Sequence, residues 1–540
     1  MKKFIIRSLP VILIILFSLF ALRETFNMYF TGDDFGFIYR LKVNGYYPWP
    51  NQHIVNMFRP LYLLFGPYPT GYFAVGFLFF VLSAISFYYL SRLIFSNKLH
   101  ALVAALVYTI APIGIESVTM ALLYLGSYYA LTLLNLALIF IIKFFRTGRK
   151  LFYVLALAVL LFAFETISFR AFLFPIVIFF FGIFFWNRKI FGVKKLLISF
   201  GIVAFLWALI YLLRVYFVDI QEGKYIILNL NPDFVVHQIN AYISRLRHSF
   251  LGNIYYDNMD SAFIDAIRTS PIRLLSPLIS MTNIIFTLTV INLTPIIHVP
   301  LLLITILFSG LIVLKRKIAG KDNVVRYFSS LAFIFAVVLA FYIPFPKNIM
   351  PINNHYSTYA MPGYALFITS SFLILRNLFK KNKSRFLKAF PYLFLISIVL
   401  INLSIINKYL STYNQRINYV RPFFKQLKEL MPTIPIDNPI IYIQPVVHPE
   451  DDPAEARWRL YDTWKGGIMG GNAVFGLYYE NVDANKTLAT PVWETVIEFV
   501  IENPQEDIDR VFSFDYDLDG LHMTTEKTRE KLRSLLLESN

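Results

Sequence analysis

Apolar positions along this chain gather into long unbroken runs instead of alternating or recurring every three to four residues. A membrane-spanning helix needs about 20 mainly apolar residues. By that measure eleven segments qualify: 4–22, 72–95, 99–117, 119–142, 151–168, 170–186, 196–218, 294–314, 327–343, 359–376 and 389–408. They predict an α-helical polytopic membrane protein. The stretch 151–186 also reads as one long helix with a re-entrant kink. The first run follows Met1-Lys2-Lys3 and ends without a small-x-small cleavage site, so it is expected to be an uncleaved signal anchor and not a removed signal peptide. No internal repeat is visible.

The polar intervals give the runs a direction. Basic clusters such as KFFRTGRK, NRKIFGVKK, LKRKIAGK and RNLFKKNKSRFLK separate them. With a cytoplasmic N-terminus, the loops near Lys98, Arg146 to Lys150, Arg188 to Lys195, Lys315 to Lys321 and Lys380 to Lys388 all fall inside, as the positive-inside rule requires. An odd number of spans then puts everything after Ser411 outside, together with loops 23–71, 219–283 and 344–358. The expected location is a bacterial or archaeal cell membrane. The second of these loops holds Arg245, Arg247 and His248 among apolar residues over 232–250. That stretch and 344–358 suggest interfacial amphipathic helices, or solvated connectors.

Residues 1–410 thus form the expected membrane domain. The tail, 411–540, loses the apolar runs and gains acidic residues, prolines and alternating stretches such as PIIYIQPVV. It predicts a small extracytoplasmic α/β or β-rich domain.

Composition excludes several classes. The chain is 57% hydrophobic and 15% charged, against about 25% charged in a soluble domain, with a mean hydropathy of +0.58. The net charge of +17 sits in short loops, with no separate basic stripe and interleaved aromatics, so no nucleic-acid partner is expected. The absence of cysteine rules out disulfides, thiolate metal sites and a cysteine nucleophile.

Candidate chemistry collects at the outer boundary. After the first run comes Thr31-Gly32-Asp33-Asp34-Phe35; adjacent carboxylates raise each other's pKa and suit one of them to accept a proton or hold a metal. The bland alternative is a solvated acidic turn. Arg59, in Phe58-Arg59-Pro60-Leu61, offers a guanidinium that pairs with a lipid phosphate, or snorkels to the interface. Glu116 lies in the next outer turn. Glu165 and Arg170 flank a third, as site residues or as a structural ion pair. Asn353-Asn354-His355-Tyr356-Ser357-Thr358-Tyr359 supplies donors for phosphate or sugar, or is a polar turn. A divalent cation such as Mg2+ or Mn2+, if used, would draw on Asp33, Asp34 and Glu116.

These residues resemble the GT-C superfamily of membrane glycosyltransferases, in particular protein O-mannosyltransferases and bacterial relatives that use polyprenyl-phosphate sugars. The matching pieces are Asp33-Asp34, Phe58 to Leu61, Pro112-x-x-x-Glu116-Ser117-Val118 and Glu165-Thr166. They cover roughly residues 1 to 180, with a weaker echo at His355 to Pro362. Departures are Gly114, where relatives often carry histidine, and His355-Tyr356 or His355-Tyr359, where they carry Arg-Tyr. The resemblance implies Asp33 as general base toward an acceptor hydroxyl of a protein, lipid or glycan. Arg59, and Arg245 or Arg247, would neutralise the departing lipid phosphate. A transporter or flippase of lipid-linked sugars, and an envelope scaffold, are the rival expectations.

In the tail, Asp515-Tyr516-Asp517-Leu518-Asp519-Gly520 with Glu526 has EF-hand spacing. The alternating Arg510 to Phe514 before it favours instead a β-hairpin turning at Asp519-Gly520.

Overall fold

The structure, a computed structural model, describes residues 2–30, 33–43, 52–167, 192–214, 309–310, 312–342, 358–436, 438–451, 472–483, 486–502 and 508–539. The expected span 170–186, most of 294–314, loop 219–283 and residues 344–357 lie outside these. So do Arg170, Arg245, Arg247 and His355.

Among the described residues five helical segments are long and apolar enough to cross a membrane: Ser8–Asn27, Pro69–Phe95, Ala121–Thr147, Thr358–Phe379 and Arg385–Ser411. They belong to α1 (Lys2–Leu22), α4 (Pro69–Phe95), α6 (Ala121–Thr147), α10 (Met361–Phe379) and α11 (Arg385–Leu430). The first loop is itself helical, with α2 (Asp33–Val43) and α3 (Gln52–Phe65). The runs at 99–117, 151–168, 196–218 and 327–343 coincide with α5 (Lys98–Thr109), α7 (Lys150–Ile167), α8 (Val193–Arg214) and α9 (Lys321–Tyr342).

Helix α5 departs from the sequence expectation. It stops after 12 residues, about 18 Å at 1.5 Å per residue, short of the ~30 Å hydrocarbon thickness. Pro112 cannot donate to a helix and Gly114 turns at φ +79°. The chain therefore continues as a buried irregular segment with one 3-10 turn, Ile115–Val118. Irregular backbone is tolerated at such depth only when protein satisfies its polar groups.

The bundle has two unlike ends. At one, α4 finishes under two guanidiniums: Arg146 donates to the Leu93 carbonyl at 2.7 Å and Arg326 to that of Ile94 at 3.1 Å. Cations there complement the helix dipole. This end carries Lys98, Arg146, Lys150, Lys321 and Lys380. The opposite end carries α2, the α5–α6 connection and the tail. Inside the bundle Asn135 of α6 donates to the Ser83 carbonyl and the Ser86 hydroxyl of α4, both at 3.1 Å, while Ser83 bonds Tyr108 of α5 at 2.9 Å.

Helix α11 has 46 residues, about 69 Å long, so its last part projects beyond any membrane and carries the tail. There β1 (Ile440–Pro445), β2 (Leu488–Thr490), β3 (Val511–Tyr516) and β4 (Leu521–Met523) form a sheet of order β2-β1-β3-β4. Strand β1 runs parallel to β2 and β3, and β4 returns antiparallel to β3. Helices α12 (Asn472–Tyr478), α13 (Trp493–Glu502) and α14 (Thr525–Ser539) complete an α/β unit. Parallel central strands are buried on both faces, and β1 obeys this. Ile440 and Tyr442 pack with Val496, Val500 and Leu532, while Ile441 and Ile443 join the core that runs through Phe423 and Leu427 into the bundle.

The Asp515 to Glu526 stretch begins in strand β3, turns through the β3–β4 hairpin and ends in the first turn of α14. Asp517 accepts the backbone N–H groups of Asp519 and Gly520, both at 2.9 Å, and lies between His448 at 3.3 Å and His522 at 3.2 Å. The hydrogen bond to Asp517 raises the pKa of His448 above the ordinary value of 6.5. Burial pushes Asp517 up, but His448, the two amides and His522 together hold it below the ordinary 3.8.

The stabilisation from His448 is fully present below about pH 6.5 and fades as pH rises through its raised pKa; that from the Asp517 carboxylate fades as pH falls below about 3.8. Amide exchange of the 517–520 turn, corrected for intrinsic rate, is therefore expected to be slowest between those limits and to quicken toward alkaline pH. His448→Gln should flatten that alkaline arm. An unchanged profile would remove the His448–Asp517 bond from the account.

Candidate functional site at the tail end of the bundle

Helix α2 opens at Asp33 and buries Asp34, Phe35, Ile38 and Leu41, the spacing of an amphipathic helix facing a core. Asp34 is fully buried and reaches across to α6. Its Oδ2 accepts the Ala121 N–H at 2.9 Å and its Oδ1 the Leu122 N–H at 2.8 Å. Met120, at the N-cap position of α6, supplies no side-chain cap, so a carboxylate from another helix does. A carboxylate is favoured there by two charge-assisted hydrogen bonds and by the positive end of the helix dipole. Of the adjacent acids, Asp34 thus joins α2 to α6 and Asp33 marks the helix start beside it.

The α5–α6 connection leads into the same α6 N-terminus. Glu116 and Ser117 are buried on its 3-10 turn, and the Ser117 hydroxyl bonds that of Thr358, just before α10. A Cβ on Gly114 would come within 2.5 Å of the Thr358 Cα. The left-handed φ and this contact both demand glycine, so no larger side chain has room here. Tyr359, where the polar stretch meets the apolar run 359–376, is fully buried at the start of the α10 segment. Burial beside the α5–α6 connection makes it part of the packing.

Arg59 lies within α3, not in a loop. Its neighbour Phe58 is buried against Phe37, Phe79 and Tyr129, with ring centroids 6.0 to 6.4 Å apart. Phe58 thereby anchors α3 on α2, α4 and α6 and leaves the Arg59 side chain half-buried, without a hydrogen bond or ion pair among the described residues. Glu165 falls in the last turn of α7, which ends at the same side as α2. Among the described residues no three acidic or histidine groups converge to hold a metal. Both Asp34 oxygens are committed to amides.

The tail packs against the last turn of α2. Lys42, near the end of α2, donates to the Gly476 carbonyl at 2.7 Å and the Leu477 carbonyl at 3.4 Å in α12. Burial lowers the pKa of this amine while Glu480 raises it and Lys428 lowers it further. The sequence singled out neither Lys42 nor Tyr478, its neighbour across the interface. Their partners are more than 400 residues away in the chain, and no local pattern announces such a pairing.

No protein-family model and no curated protein matches this chain, so its likeness to membrane glycosyltransferases rests on the residues quoted above.

Proposed function

We propose that this protein is an inverting glycosyltransferase that moves a sugar from a polyprenyl-phosphate donor to an acceptor hydroxyl at the outer membrane interface. The reading takes eleven spans, the basic end of the bundle as cytoplasmic, and α2, the α5–α6 connection and the tail as extracytoplasmic. The observation that carries it is the buried clasp of Asp34 on the α6 N-terminus, which fastens the first turn of α2, the turn that Asp33 opens, to the bundle.

Asp33 takes the proton of the acceptor hydroxyl. The acceptor oxygen attacks the anomeric carbon from the face opposite the phosphate, the carbon–oxygen bond to phosphate breaks, and the polyprenyl phosphate leaves with the electron pair. One displacement inverts the anomeric centre. Arg59 of α3 meets the charge on that leaving group, as the resemblance implies.

A transporter of lipid-linked sugars is the second reading, and the buried network of Asn135, Ser83, Ser86 and Tyr108 favours it, since transport sites lie deep in the bundle. That network is uncharged and its groups serve one another across α4, α5 and α6, which is how polar side chains join helices in lipid. Mass spectrometry of envelope glycans and lipids from cells with and without the protein separates the readings. Loss of one hexose or pentose from a single acceptor class supports transfer. Unchanged acceptors with lipid-linked sugar trapped on the cytoplasmic leaflet support transport.

A further inference from the structure

Helix α2 is held at its two ends by different parts of the molecule. At its first turn Asp34 binds α6 of the bundle. At its last turn Lys42 binds the carbonyls that end α12 of the tail. Between them Phe35 lies 5.2 Å from the Phe424 ring and 6.5 Å from that of Tyr478. Just before α2, Tyr29 bonds the Tyr478 hydroxyl at 2.7 Å and stacks on Phe424 at 6.2 Å, and Phe424 in turn stacks on Tyr478 at 5.3 Å.

The tail side of this clamp is itself braced. Lys428 of α11 donates to the Tyr478 carbonyl at 3.2 Å and lies 4.1 Å from the Tyr479 ring, whose hydroxyl donates to Met431 at 2.8 Å. Gln426 receives the Leu521 N–H at 3.1 Å, seating the β3–β4 hairpin on the same helix. One apolar core runs from α2 through Phe424 into Val474, Phe475 and Leu477. The tail is therefore built onto α2 and does not simply hang from the end of α11.

A helix of 11 residues pinned at both ends has little freedom of its own, so the tail's seat dictates the tilt of α2 against α6. Reaction rates are steep in such placement: a misplacement of about 1 Å costs on the order of 10²-fold. We propose that Lys42 and Tyr478 are positioning residues through which the C-terminal domain sets α2, and hence Asp33, for transfer. This rests on the reading of Asp33 as the base.

The test uses the purified full chain. Lys42→Met keeps the aliphatic stem and removes the donors; Tyr478→Phe keeps the ring and removes one hydrogen bond; Lys42→Arg restores a cationic donor. Amide exchange of α2 is compared with that of α6, and kcat with KM for a polyprenyl-phosphate sugar. Lys42→Met is expected to speed α2 exchange about tenfold with α6 unchanged. It is also expected to lower kcat about tenfold while KM stays within about twofold, as for an interaction felt only in the transition state.

Tyr478→Phe should act in the same direction and Lys42→Arg should recover most of the loss. Should Lys42→Met fail to fold, Tyr478→Phe carries the comparison alone. Unchanged α2 exchange in the folded variants overturns the inference whatever the activity, as does faster exchange at unchanged kcat. Faster α2 exchange in a protein whose wild type forms no glycoside leaves the tail-to-α2 coupling standing and removes the transferase reading instead.

Discussion

Asp33→Asn should lower kcat for sugar transfer by about 10²- to 10⁴-fold, the range that general-base help contributes, with thermal stability and donor binding close to wild type. Asparagine is nearly isosteric with aspartate, but its amide cannot take a proton. The residue opens α2, and the buried carboxylate that fastens this helix to the bundle belongs to its neighbour, Asp34. Loss of transfer is therefore expected without loss of fold. Steady-state kinetics with donor at saturation, beside a melting curve, reads both. Full activity in the variant would take the base role from Asp33.

Asp34→Ala should show the converse pattern, a large loss of stability. The side chain is fully buried and supplies both acceptors for the first two amides of α6. Hydrogen bonds to charged groups contribute about 1.5 to 3 kcal/mol each, and a buried donor left unpaired adds a further penalty. A destabilisation of about 3 kcal/mol or more follows, with transfer impaired because α2 loses its hold on α6. Asp34→Asn should fall between, since its carbonyl can receive one N–H while its amide meets the other. A melting temperature within error of wild type for Asp34→Ala would show that α6 needs no cap from α2. Comparing the two acids thus divides chemistry from placement in a pair that sequence treats alike.

That division shows where sequence reading stops. Apolar runs and basic loops are local signals, and α4, α6, α10 and the membrane part of α11 follow them closely. The alternation in Arg510 to Phe514 and the Asp519-Gly520 turn are local too, and the hairpin lies there in place of a calcium loop. The end of α5 was legible only in part. Pro112 and Gly114 carry the signal for a break, but an apolar run of span length masks it.

The partners of Asp34, Thr358, Lys42 and Tyr478 were not legible, because each contact joins residues at least 87 positions apart. Such contacts follow from how helices pack and not from any short pattern. The burial of Tyr359 was not legible for a related reason. A tyrosine beside serine and threonine reads as an exposed polar turn, whereas the close approach of the Gly114 turn to Thr358 buries it.

The central claim is transfer of a sugar from a polyprenyl phosphate at the end of the bundle that carries Asp33. The most direct test places the purified full chain in vesicles with labelled polyprenyl-phosphate sugars and an acceptor pool from the same envelope, and follows both the lipid and the label. The account predicts that polyprenyl phosphate is released in step with a glycoside of inverted anomeric configuration, and that Asp33→Asn makes neither. Movement of intact donor across the bilayer with no glycoside formed would contradict it.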